Sequence, residues 1–176
     1  MTIDEMIKRY NIKVAHGSHE GQMHILNTDM VYADKAIDIL KSNKSAIMDR
    51  LREMDEARKE ATRQYIKKVN SIPGLTEIQE ALDAQEEWEN KFSEYFDNED
   101  CSKIPVKPNY NFEAAYKKYP QAHAYLLAEE ESLKSNFELA DIGKRALKEI
   151  IYGDWEKAIA NMKKEKDDFI ARHIWD

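Results

Sequence analysis

Apolar residues along this chain recur mostly every three or four positions, the spacing of helices buried on one side. Thr2 and Glu5 make a capping box, in which a hydroxyl and a carboxylate each take a backbone N–H, so a short helix is predicted over about 3–10. The period then changes to two. "IKVA" and "QMHILN" alternate, with Ile12 and Val14 on one side and Met23 and Ile25 matching them. Gly17 and Gly21 in the intervening "HGSHEG" supply turn conformations, which predicts a β-hairpin. After Thr28 the helical period returns through Tyr32, Ala33, Ala36, Ile37 and Leu40. Asn43 breaks that helix, and another starts at Lys44 with an apolar stripe of Ile47, Leu51, Met54, Ala57, Ala61, Tyr65 and Val69. Pro73 stops it, because proline lacks a backbone donor and forces Ile72 before it out of helical geometry.

Thr76 and Gln79 form a second capping-box pattern, so a helix is expected to about Phe96 with Ile78, Ala81, Leu82, Trp88, Phe92, Tyr95 and Phe96 inward. "DNEDCSKIPVKPNY" has no period and contains two prolines, which makes residues 97–111 an irregular loop. "FEAAYKKY" reads as a short helix, and Pro120 opens one running without interruption to Gly153. Asp154 caps the last helix, with Trp155, Ala158, Ile159, Met162, Phe169 and Ile170 inward. The expected fold is mainly α (α+β). An αββαα module with a β-hairpin occupies 1–53, and a bundle of long antiparallel helices occupies 44–176, the two sharing a helix over 44–71. No internal repeat is present.

Length and composition narrow the class. A chain of 176 residues fits one domain, or one with a small appendage, and buries enough surface to need no disulfide or metal. The single cysteine, Cys101, has no intrachain partner, which suits a reducing compartment. The start lacks the apolar segment of a signal peptide, and no apolar run approaches the length that crosses a bilayer. The expected location is the cytoplasm, away from membranes. Charge is unevenly placed: residues 1–73 hold 13 Lys/Arg against 11 Asp/Glu, whereas residues 77–100 hold ten acids and one base, Lys91. Such a segment repels nucleic acid and attracts a basic protein surface.

The order helix–strand–turn–strand–helix–helix, closed by "ADKAIDILKSNKSAIMDRLREM", resembles the TubC-type N-terminal docking domain over about residues 1–53. That resemblance implies a peptide-binding edge at the hairpin, here Gln22, Met23, His24, Ile25, Leu26 and Asn27. The later stretch "YPQAHAYLLAEEESLKSNFELADIGKRALKEIIYGDWEKAIA" is similar to small uncharacterised proteins of bacterial phages and integrative elements.

Candidate chemistry is sparse. His16, His19 and His24 cluster around the hairpin, with Glu20 as a conceivable fourth ligand and His16 able to meet His24 across the ladder. The spacing matches no standard zinc motif and no cysteine lies near, so an exposed polar turn outweighs a metal site. A di-iron bundle needs Glu-x-x-His pairs, but proline and isoleucine stand three residues before His123 and His173. The run Glu129–Glu130–Glu131 covers too wide an arc to point inward together. Acidic neighbours suppress the Cys101 thiolate, and there is no phosphate-binding glycine loop or nucleophile elbow. No catalytic residue, metal or cofactor is assigned.

Binding is therefore the leading expectation. Glu80, Asp83, Glu86, Glu87, Glu94, Asp97, Glu99 and Asp100 form a candidate face for a protein partner with a basic surface, such as a nucleic-acid-binding effector. The sharper form is an inhibitor from a mobile element, of anti-CRISPR or other anti-defence type. A docking or scaffold module using the hairpin edge is the alternative, and a metal-dependent enzyme using the hairpin histidines is the third. Direct nucleic-acid binding is disfavoured, because acids interleave with the bases of "RLREMDEARKEATRQYIKK". Dimerisation is left open.

Overall fold

A computed structural model of the chain describes residues 1–15, 22–97 and 104–173, with positions 96 and 97 described by their backbone alone. The chain is mainly helical, with one small antiparallel hairpin among the described residues, and it divides into two compact units, Met1–Gln64 and Tyr65–Asp176.

In the first unit, Thr2 caps α1 (Ile3–Arg9) through the capping box, its Oγ1 accepting from the Glu5 N–H while the Glu5 carboxylate accepts from the Thr2 N–H. Strands β1 (Ile12–Val14) and β2 (Met23–Ile25) pair with Ile12 opposite Ile25 and Val14 opposite Met23. Those four side chains pack in the core, while Lys13 and His24 are exposed. The alternation of the sequence is thus the alternation of a half-buried sheet.

The next segment departs from the expected single helix. It forms α2 (Thr28–Ala33) and α3 (Ile37–Ser42), separated by Lys35 in the left-handed region at φ 51°. The corner is anchored by Asp34. Its carboxylate accepts from the Arg9 guanidinium at 2.5 and 2.9 Å and from the Tyr10 hydroxyl at 3.0 Å. Hydrogen bonding to Arg9 holds that carboxyl below its ordinary pKa. With the helix broken there, Val31, Ala36 and Leu40 are buried; Tyr32, Ala33 and Ile37, expected inward, are exposed.

Helix α4 (Lys44–Asn70) buries Ile47, Met48 and Leu51 and then runs exposed from Arg52 to Lys68. Met54, Ala57 and Ala61, expected to be covered, stand in solvent, with Met54 47% exposed, while Tyr65, 38% exposed, reaches the buried Tyr125 through its hydroxyl. A regular apolar spacing makes a helix amphipathic but does not supply the neighbour that covers it. This stretch is held by pairs within the helix: Lys59 with Asp55 and Glu56 at 2.8 and 2.9 Å, and Arg63 with Glu60 at 3.3 Å.

The second unit contains α5 (Leu75–Asp97), α6 (Phe112–Lys118), α7 (Pro120–Ser132), α8 (Phe137–Tyr152) and α9 (Trp155–His173). Its core joins Leu75 and Ile78 to Ala122, Tyr125, Ala128, Ile142, Ala146, Ile150 and Met162. Helices α8 and α9 run antiparallel, since Glu138 near the start of α8 pairs with Arg172 near the end of α9, and Arg145 pairs with Glu165. The uninterrupted helix expected over 120–153 is instead α7 and α8, broken at 133–136. Asn136 makes the second start, its Oδ1 accepting from the Glu138 and Leu139 N–H groups at 3.0 and 3.2 Å. Ile170, expected inward on α9, is 44% exposed.

Among the described residues, one carboxylate enters this core. Glu131 at the end of α7 is 3% exposed, with Oε2 held by Lys134 at 3.0 Å and Lys166 of α9 at 2.7 Å; Oε1 is buried without a hydrogen-bond partner. Burial pushes this carboxyl up, but the two ammonium groups outweigh burial and hold it below its usual pKa. A depressed pKa stabilises the fold above the unfolded-state value and loses that contribution as pH falls through the folded value. Acidification below about pH 4.5 should therefore lower the melting temperature of wild type more steeply than that of Glu131→Gln. Thermal scans of both chains between pH 3 and 7 measure this, and parallel curves would show that Glu131 is not the group responsible.

Candidate interaction surface on helix α5

Helix α5 starts at Leu75, directly after Gly74 at φ 75°. Thr76 is thus inside the first turn and not its cap. Glycine is required at position 74 twice over: by its left-handed backbone, and because the Tyr119 ring occupies the space of a Cβ. Leu75 and Ile78 are buried, and these two anchor the helix by its N-terminal turns.

Beyond Ile78 the inward stripe is half-buried only. Ala81, Gln85, Trp88, Phe92 and Tyr95 follow at steps of three and four, and none of the five reaches the burial expected of a core residue. Trp88 and Phe92 stack at 5.0 Å between centroids, and Phe92 and Tyr95 at 6.4 Å. Leu82, also expected inward, is 37% exposed, because at 100° per residue it lies about 90° from this stripe. What meets the stripe at Trp88, and the helix at Glu77, is the irregular segment, which the sequence marks only as a loop. The Trp88 indole N–H donates to the Pro105 carbonyl at 3.0 Å, the Lys107 ammonium lies 5.4 Å from the Trp88 ring, and the Tyr110 hydroxyl donates to Glu77 at 3.0 Å.

The acids occupy another side. On ideal helix geometry Glu80, Asp83, Glu87 and Glu94 fall within an arc of about 60°, centred roughly 140° from the aromatic stripe. All four are exposed, as are Glu86 and Glu89 on the opposite flank. Among the described residues, Lys91 is the one cation paired with this group, 2.5 Å from Glu87, and that hydrogen bond lowers the Glu87 carboxyl pKa. The Asp97 side chain, Glu99 and Asp100 lie outside the described residues.

No protein-family model matches this chain, and neither a curated protein nor a solved structure does.

At the hairpin, the register places Lys13, not His16, opposite His24, because the ladder continues outward through Val14 and Met23. His16, His19, Glu20 and Cys101 lie outside the described residues, and among the described residues no three His, Cys, Asp or Glu side chains gather as metal ligands. Of the expected docking edge, Met23 and Ile25 turn to the core, while Gln22, His24 and Leu26 are exposed. Asn27 is used internally, its side-chain amide donating to the Arg9 carbonyl at 3.1 Å. His123 stacks flat on Tyr116 at 4.1 Å, where burial and Lys163 disfavour its protonation. Among the described residues, no helix is long and apolar enough to cross a membrane.

Sequence reasoning missed two features with functional bearing. Glu131 continues the buried spacing of Ala124 and Ala128, and its match with Lys134 three residues on is a readable sign. Pro105 and Pro108 also stand three apart, the spacing of a polyproline strand, though the period is hidden inside a segment with no helical or strand pattern.

Proposed function

We propose that this chain is a non-catalytic protein-binding protein, an inhibitor of anti-defence type such as an anti-CRISPR carried by a mobile element. Its acidic side of α5 occupies a basic, nucleic-acid-binding surface on the partner. The observation that carries this reading is the exposed row Glu80, Asp83, Glu87 and Glu94, which meets a single lysine within the described residues. Carboxylates fixed along one side of a helix offer a basic groove the negative charge that phosphates would bring. They also steer the encounter, so association is fast and sensitive to salt.

The test is capture from a host extract by immobilised protein, with the retained partner identified by mass spectrometry. A chain carrying Glu80→Lys, Asp83→Lys, Glu87→Lys and Glu94→Lys is expected to lose at least about a hundredfold in capture, since like charges then face each other across the contact. Its far-UV circular dichroism should be unchanged, because all four positions are solvent-exposed. Equal capture by the reversed chain, or a partner with no nucleic-acid-binding activity for the wild type to block, would overturn the reading.

A further inference from the structure

The aromatic side of α5 is a different surface from its acidic side, and it already has an occupant. The sequence "IPVKP" at 104–108 carries prolines at i and i+3. A polyproline II strand has three residues per turn, so both prolines lie along one edge. The burial follows that period: Pro105 and Pro108 are half-buried, whereas Ile104 is 65% and Val106 90% exposed. The length agrees as well. Between the Trp88–Pro105 and Glu77–Tyr110 contacts the helix advances eleven residues, roughly 16 Å. The segment spans this in five residues, as an extended backbone of polyproline type can.

The contacts are those by which aromatic grooves recognise such strands. A polyproline backbone makes no internal hydrogen bonds, leaving its carbonyls to be read by a donor at the groove's rim. Trp88 supplies that donor while its ring stacks on Phe92. Lys107, between the prolines, places its ammonium over the Trp88 face on a helix of acidic character. We propose that the Trp88 end of this stripe, with Gln85 and Ala81 on its N-terminal side and the Phe92 ring backing the indole, is a docking groove for an extended, proline-containing partner peptide with a basic residue between its prolines, and that residues 104–108 fill it as an intramolecular ligand the partner displaces.

Displacement is favoured by how little holds the segment. Prolines at 105 and 108 donate no backbone hydrogen bond, and the neighbouring apolar side chains Ile104 and Val106 bury little surface. A partner that repeats the chemistry with more apolar contact gains the groove, and the released segment regains its entropy. This inference is independent of the acidic-face reading, since it uses other side chains and its test needs no host partner.

The test uses a fluorescent synthetic peptide of sequence KIPVKPNY, residues 103–110, and the full chain. Fluorescence anisotropy is expected to show at least about tenfold tighter binding to the Pro105→Ala, Pro108→Ala double variant than to wild type, the effect of removing a competitor that fills nine-tenths of the grooves. A peptide with both prolines replaced by alanine should lose that binding. Equal affinity of the peptide for both chains, or equal binding of the alanine peptide, would overturn the proposal. So would a variant dimer that the peptide does not dissolve, since the occupant would then be a second copy. Should the double variant fail to fold by circular dichroism, Trp88→Phe keeps the ring and removes the N–H. It is expected to speed chymotryptic cleavage after Tyr110, which the docked segment holds against Glu77, while α7–α9 stay intact. An unchanged cleavage rate there would likewise overturn the proposal.

Discussion

Replacing Gly143 by alanine is expected to lower the melting temperature of the unit Tyr65–Asp176 by roughly 10–20 °C, the equivalent of about 3 kcal/mol. The residue sits on α8 where that helix crosses the end of α7. A Cβ built there would lie 2.3 Å from the Ser132 N and 2.7 Å from both the Glu131 carbonyl carbon and the Ser132 Cα. Flexible side-chain ends can move aside from such a contact, but these are backbone atoms of a packed helix, so the helices must separate. Separation also disturbs the adjacent Glu131, whose buried carboxylate depends on Lys166 of α9. Overpacking of this kind ordinarily costs about 1–3 kcal/mol, and a backbone obstacle places it at the upper end. The control is Lys144→Ala, one residue on and exposed, which should stay within about 0.5 kcal/mol of wild type. Thermal unfolding followed by circular dichroism measures both. Near-identical midpoints for Gly143→Ala and wild type would mean that α7 and α8 do not approach as closely as described.

Ile47→Ala is expected to unfold the other unit selectively. Ile47 is 0% exposed and belongs to a core that, among the described residues, gathers ten side chains from α1, β1, α2, α3, α4 and the caps Tyr10 and Ala36. Truncation of a buried isoleucine costs about 2–5 kcal/mol, the transfer of the lost methylenes plus the cavity they leave. A unit of this size buries only about 60% of its unfolded surface and has little stability to spare. The loss should therefore reach the hairpin and α1 together, because Ile12 and Tyr10 share the same core. Amide exchange reads the outcome residue by residue: protection at 3–14 and 23–51 should fall steeply, while α7–α9, which have a separate core, keep theirs. Even loss of protection across both units would show that the two cores do not act separately.

Much of the fold was legible in local chemistry. The capping box at Thr2 and Glu5, the alternation of Ile12, Val14, Met23 and Ile25, the cap at Asp154 and the proline opening α7 all act within a few residues, and each stands where the pattern predicts. The misread places are those where a local pattern admits two outcomes. The residues 28–42 can form one helix or two, and the salt bridge from Arg9 to Asp34, 25 positions apart, decides for two. Residues 120–152 contain a good cap at Asn136 inside an otherwise helical period, and the close approach at Gly143 shows why the chain turns back there.

The candidate surface divides along the same line. That Glu80, Asp83, Glu87 and Glu94 share one side of α5 follows from their spacing and helix geometry alone. Their accessibility does not, because carboxylates at that spacing could equally be met by cations from elsewhere in the chain; Glu131 is met in that way. The sequence by itself therefore determined element type, handed apolar stripes to the helices and concentrated negative charge in one stretch, since all three depend on neighbours within a turn or two. Which stripes are covered was decided only by tertiary structure. The Met54–Ala61 side of α4 stays in water, the Trp88 side of α5 receives a proline segment from 17 residues away, and Ile142 and Ile150 are buried. Burial is a property of two surfaces, and the second surface is not written in the period of the first.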